Sequence, residues 1–196
     1  MSDYTAPLAD LRFALKQAGM DDLASWPGFE DASQDLVDAV LEEASKFATQ
    51  VLAPINREGD QAGPIVRDGE VTTAAGWKEA YDRFTEGGWT GLVLDPKYGG
   101  QGLPQTLACA VQEMWDAANM AFGLCPMLSQ TAAEAISLRG SESQKALFLP
   151  NLISGKWTGT MNLTEPQAGS DLAAVRTRAV ATEEGHYRLS GQKIFI

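Results

Sequence analysis

Up to Gly155 the apolar residues of this chain recur every three or four positions; beyond it they alternate. The first spacing belongs to amphipathic helices and the second to strands, so a helical part has to be followed by a β part. The strongest helical stretch carries Leu36, Val37, Val40, Leu41, Ala44, Phe47, Ala48, Val51 and Leu52 on one broad buried face. Asp31 or Ser33 is placed to cap its start, and Pro54 to end it. Ahead of it, residues 1–30 read as an extension in which Asp10 to Ala18 forms a short helix stopped by Gly19. After it, Asn56 to Thr73 reads as a long loop. A second helix is expected over Ala74 to Glu86, with Trp77, Ala80, Tyr81 and Phe84 inward and Gly87-Gly88 breaking it.

Trp89 to Pro104 is a glycine-dense loop. The helix after it, running to about Phe122, is apolar on most sides, which suits the middle of a bundle. A separate helix is expected over Pro126 to Leu138. Ser141-Glu142-Ser143-Gln144 then forms a capping box and opens a helix that Pro150 bends or ends. In the β part, Trp157 to Leu163 reads as a strand, and Ala174–Thr182 with Tyr187–Ile196 as a hairpin. The organisation expected is 1–30 extension, 31–155 helical domain and 156–196 incomplete β domain. Two or three strands bury too little to stand alone, and the chain stops inside the apolar run Ile194-Phe195-Ile196. The sequence therefore reads as a fragment, or as a chain whose sheet something else completes.

Composition excludes several chemistries. Net charge is −11, which disfavours nucleic acid and anionic membrane as partners. A phosphate-bearing small molecule stays possible, because backbone N–H groups bind phosphate locally. With one histidine, His186, no multi-histidine metal site can form, and no metal is expected. Cys109 and Cys125 lack zinc or C-x-x-C spacing and read as buried free thiols of a reducing, cytoplasmic compartment. No secretory signal and no apolar run of membrane-spanning length is seen.

The informative segment is Thr160-Met161-Asn162-Leu163-Thr164-Glu165-Pro166-Gln167-Ala168-Gly169-Ser170-Asp171. A strand delivers the chain to a turn built from Pro166, Gly169 and Ser170. Gly169 permits positive φ and close approach of a ligand, and Thr164 and Ser170 add hydroxyls that both donate and accept. Taken alone, an ordinary polar turn and an anion-binding nest are both open, and the ordinary turn is the commoner.

Leu163-Thr164-Glu165-Pro166-x-Ala168-Gly169-Ser170-Asp171 resembles the flavin-binding motif of the acyl-CoA dehydrogenase family. Gln144-Lys145 through Ser154-Gly155, Ser190-Gly191-Gln192-Lys193-Ile194-Phe195-Ile196 and the loop Gly91-Leu92 to Gly102 resemble that family's segments in order and spacing. The start, Tyr4-x-Ala6-Pro7-x-x-Asp10-x-x-Phe13-x-Leu15, is similar to the extension of a longer subgroup. The resemblance implies an α+β, mainly α fold. A helical N-terminal domain would lead into the first strands of a β-barrel-like domain, with the family's C-terminal helical domain absent. It implies FAD as cofactor and an acyl-CoA thioester as substrate, desaturated between Cα and Cβ: a carboxylate takes the α proton and flavin N5 the β hydride. It also implies a homo-oligomer at full length and leaves the electron acceptor open. By the same resemblance Met161, Leu163, Thr164, Gly169, Ser170, Phe195 and Ile196 bind the cofactor, and Ser170 also meets the substrate. The catalytic glutamate falls in the missing domain, Glu165 is structural, and the chain alone is expected to be inactive.

The competing reading is a non-catalytic helical module that docks on a partner chain. His186 reads as a solvated turn residue. Trp77, Trp89, Trp115 and Trp157 read as core, and so do Leu124, Cys125 and Met127 between two helices.

Overall fold

A computed structural model describes residues 4–195. The chain divides into two units, one ending at Gly159 and the other starting at Thr160. In the first, α1 (Leu8–Gln17) buries Leu11 and Leu15 and ends at Gly19, whose φ of 81° stops it. A four-residue α2 (Met20–Leu23) follows. Ser33 caps α3 (Gln34–Phe47), its Oγ accepting from the Leu36 amide at 3.3 Å, and Val37, Leu41, Ala44 and Phe47 form the buried face.

Pro54 does not end the helical path. The turn Ala48–Leu52 is a π-helical loop, and α4 (Ala53–Ala62) starts directly behind it with Pro54 in its first turn. Proline is harmless there because its missing N–H is one that a first turn leaves unpaired anyway. The expected loop 56–73 is thus mostly α4 followed by a small hairpin, β1 (Ile65–Arg67) and β2 (Glu70–Thr72). Asp68-Gly69 at its tip, both at positive φ, is the signal that makes a two-residue turn.

α5 (Trp77–Glu86) sends Ala80 and Phe84 inward. The glycine-dense loop folds onto itself: Gln101 N donates to Gly91 O, Gly102 N to Leu94 O and Leu103 N to Leu92 O. Gly100 is obligatory here, because a Cβ would run into the carbonyl of Leu94.

Two helical arms are present, as expected, but they divide at Asn119 and not near Pro126: α6 (Gln105–Arg139) is kinked there, where φ and ψ of −163° and 83° are non-helical. The buried Asn119 side chain repairs the break by donating to Leu52 O (3.3 Å) and accepting from the Phe122 amide (3.1 Å). Pro126 sits inside the second arm. α7 (Glu142–Ile153) opens with the expected capping box and runs past Pro150, which falls near the C-terminal end. The core is an aromatic cluster of Phe47, Phe84, Trp115 and Phe122. Phe47 meets Trp115 edge-on at 5.3 Å, and Phe84 lies 5.8 Å from Trp115 and 5.7 Å from Phe122.

In the second unit, β3 (Arg178–Ala181) pairs antiparallel with β4 (Tyr187–Ser190), as the alternation predicts. Every residue of both strands is exposed, so the alternation marks no buried face within this unit. The strand expected over Trp157 to Leu163 is absent: Trp157 to Thr164 joins no ladder. Among the described residues no helix is long and apolar enough to cross a membrane.

Candidate functional site

The segment that carries the motif is built around one buried carboxylate. The amides of Glu165 and Ala168 exchange hydrogen bonds at 3.0 Å each, pinching Pro166-Gln167 into a tight turn. The Glu165 side chain, 2% exposed, then gathers the rest. Its Oε2 accepts from Gln167 Nε2 at 2.6 Å and the Arg176 amide at 2.8 Å; its Oε1 accepts from the Thr177 amide at 3.0 Å and Lys193 Nζ at 2.9 Å. A carboxylate offers about four lone-pair sites, and all four are taken. The bonds from Thr177, Arg176 and Lys193 hold the carboxyl far below the ordinary 4.5. A carboxylate so saturated and so weakly basic is a scaffold and not a proton acceptor. Lys193 reaches it because Gly191 lets the chain leave β4 across Thr177, where a Cβ would strike the Thr177 hydroxyl.

The turn presents an open strip. Met161 and Leu163 are 53% and 43% exposed, and Thr164 is half-buried. Thr164 O accepts from the Ile194 amide at 3.1 Å, which brings the strip beside the segment leading to Phe195. Phe195 stands 91% exposed, at a φ of 60° that is unusual for an aromatic residue. Among the described residues the hydroxyls of Thr164 and Ser170 have no hydrogen-bond partner. Gly169 has open space where a Cβ would be, but its φ lies outside the left-handed region, so openness and not positive φ distinguishes it. Asp171 caps the single turn Leu172–Ala174, its carboxylate accepting from the Ala173 amide. Of the residues singled out from sequence, Leu163, Thr164 and the Phe195 segment are brought together. Gly169 and Ser170 lie beyond the pinched turn, and Ile196 lies outside the described residues.

Sequence reasoning missed Lys193, Gln167 and the Arg176 and Thr177 amides as the groups that organise the turn. The one available signal was a lysine, the lone base of one motif, 28 positions from a glutamate of the other. Several expectations are overturned. Cys109 and Cys125 are free but exposed. Trp157 is 41% exposed, and Leu124 and Met127 are 50% and 39% exposed. Leu124, Cys125 and Met127 lie on the exposed side of the second arm, while Pro126 between them is buried. Met127 there lines a groove of about 950 Å³, which also touches Leu92, Val93, Met120, Gln130 and Glu134 within the helical unit. His186 is a half-exposed turn residue 3.6 Å from Glu184, as expected. Among the described residues no group of three or more metal-binding side chains occurs.

Comparison with known proteins gives a consistent picture. The profile of the family "Acyl-CoA dehydrogenase, N-terminal domain" matches residues 35–156. Over 98% of its length the chain is 43% identical to 3-methylmercaptopropionyl-CoA dehydrogenase of Ruegeria pomeroyi, and it covers 33% of that protein. Over 99% of its length it is 34% identical to a butyryl-CoA dehydrogenase of Syntrophomonas wolfei, again covering 33%. Among solved structures, butyryl-CoA dehydrogenase from Megasphaera elsdenii superimposes with a TM-score of 0.70 at 30% identity, over 83% of this chain and 40% of that one. The chain spans about a third of the length of these curated relatives.

Proposed function

Since the chain belongs to the acyl-CoA dehydrogenase family, we propose that it forms the helical N-terminal domain and the start of the β domain of an FAD-dependent acyl-CoA dehydrogenase. The reaction proposed is α,β-desaturation of an acyl-CoA thioester. The observation that carries this reading is the open strip from Met161 to Thr164 beside the Phe195 segment. It lies outside any sheet and exposes the apolar Met161 and Leu163 next to the Thr164 hydroxyl, which has no hydrogen-bond partner among the described residues. That combination fits a flat, mostly apolar ring with polar edges. When bound, FAD supplies the hydride acceptor for the β hydrogen.

The chain's own residues have distinct tasks in this proposal. Met161 and Leu163 cover the ring system and exclude water from it, and Phe195, which nothing in the unit covers, adds an aromatic face. Thr164 donates to a polar edge of the ring. Gly169, with its open face, and the Ser170 hydroxyl serve the phosphate-bearing parts of cofactor and substrate. Ile196 completes the set proposed from the motif. Glu165 takes no proton, because its four acceptor positions are filled. The carboxylate that takes the α proton is proposed to lie outside these residues, and the 196-residue chain alone to be inactive.

The test is an FAD titration of the full-length gene product, then anaerobic mixing with a panel of acyl-CoA thioesters. Stoichiometric FAD uptake and bleaching of the visible flavin band by at least one thioester are expected. Failure to take up FAD, or no bleaching with any thioester, overturns the reading. Full flavin absorbance copurifying with the isolated chain would contradict its proposed dependence on more of the protein.

A further inference from the structure

The strip from Thr160 to Thr164 belongs to no sheet, so something else must hold it in one conformation. Two consecutive residues of the segment after β4 do so. Lys193 Nζ donates to Leu163 O at 2.9 Å, and the Ile194 amide donates to Thr164 O at 3.1 Å. The same ammonium reaches Glu165 Oε1 at 2.9 Å. The Lys193 side chain is only 18% exposed and Glu165 2%. One partly buried cation is therefore shared between the Leu163 carbonyl and the carboxylate around which the turn is built. The long lysine stem and three N–H donors allow both bonds at once.

Peptide planarity makes this contact directional. The carbonyl of Leu163 and the N–H of Thr164 belong to one trans peptide unit and point to opposite sides. Drawing that carbonyl toward Lys193 turns the Thr164 N–H away from it. Among the described residues that N–H, like the Thr164 hydroxyl, has no acceptor. We propose that Lys193 is a positioning residue: by holding the Leu163 carbonyl against Glu165 it fixes the plane of the 163–164 peptide, and so aims both donors of Thr164 at the cofactor edge. The assignment rests on the flavin reading above. Lys193 itself touches no reacting atom.

The test compares Lys193→Met, Lys193→Gln and Lys193→Arg in the full-length gene product. Hydrogen exchange over residues 160–168, measured without flavin, reads the latch itself. The FAD dissociation constant and the visible spectrum of bound FAD read its consequence. Lys193→Met is expected to speed exchange in that segment, to weaken FAD about tenfold, as loss of one charge-assisted bond does, and to shift the flavin band. Lys193→Arg should restore all three, since a guanidinium can span both acceptors. Exchange over α3 and α6 checks folding; if the Met variant does not fold, Lys193→Gln replaces it, with the same expectation.

Wild-type affinity and spectrum in a folded Met or Gln variant would overturn the proposal, and so would an Arg variant no better than Met. If the wild type takes up no FAD, the flavin reading fails and the positioning role with it. The exchange data would still say whether the latch exists, so the two failures are distinguishable.

Discussion

Glu165 shows how one side chain can determine a local structure. Four donors converge on it, and they come from three separate stretches of chain: Gln167 in the turn, the amides of Arg176 and Thr177, and Lys193 after the hairpin. Its carboxyl is held below the ordinary 4.5, so the unfolded chain binds a proton at a higher pH than the folded one. The stability this gives is complete above pH 4.5 and is lost as pH falls below that value toward the depressed folded one. Amide protection at Ala168, Arg176 and Thr177 should therefore decline on acidification below 4.5, ahead of the helical unit; equal decline in both units would refute the assignment. Glu165→Gln should loosen the same amides at neutral pH, because the carboxamide turns N–H groups toward donors. That outcome is read by the same exchange measurement, and protection equal to wild type would count against it.

The side-chain hydrogen bonds that hold helix ends and breaks in this chain are local, with one exception. The capping box at Ser141 is legible because both partners lie within one turn of each other. Ser141→Ala should cost about 1 kcal/mol, read as a lower thermal midpoint, and no shift would mean the cap is redundant. Asn119 is the exception. It ties the bend of α6 to Leu52, 67 positions away, at the end of the π-helical turn. Asn119→Leu keeps the branching and the number of side-chain heavy atoms but leaves the Leu52 carbonyl and the Phe122 amide without their partner. A loss of about 1–3 kcal/mol is expected in denaturant unfolding, and a neutral effect would show that the bend is imposed by packing alone. Pro54 and Pro126 misled the sequence reading for a related reason. A proline forbids certain hydrogen bonds, but whether those bonds were needed depends on where the neighbouring helix begins.

Across the whole chain, the two units differ in how they are held. The helical unit has a continuous aromatic core, so Phe84→Ala should cost about 3–5 kcal/mol and lower the cooperative unfolding of residues up to Gly159; a loss under about 1 kcal/mol would deny Phe84 its central place. The second unit exposes both faces of β3 and β4 and depends on the Glu165 hub. Limited proteolysis should therefore cut first between Thr160 and Phe195 and leave a helical fragment ending near Gly159, identified by mass; first cuts within α3 or α6 would contradict this. The sequence by itself determined the main helix faces, the cap at Ser141, the hairpin and the motif with its family, because each is written in residues close together along the chain; it left Asp31 and Ser33 open as caps, and the structure chose Ser33. Only the tertiary structure decided that the two arms of α6 divide at Asn119, that Leu124 and Met127 are exposed, that the strip before Thr164 is no strand, and that Lys193 takes one of the four acceptor positions of Glu165. These depend on groups far apart in sequence meeting in space, and local spacing carries no record of such meetings.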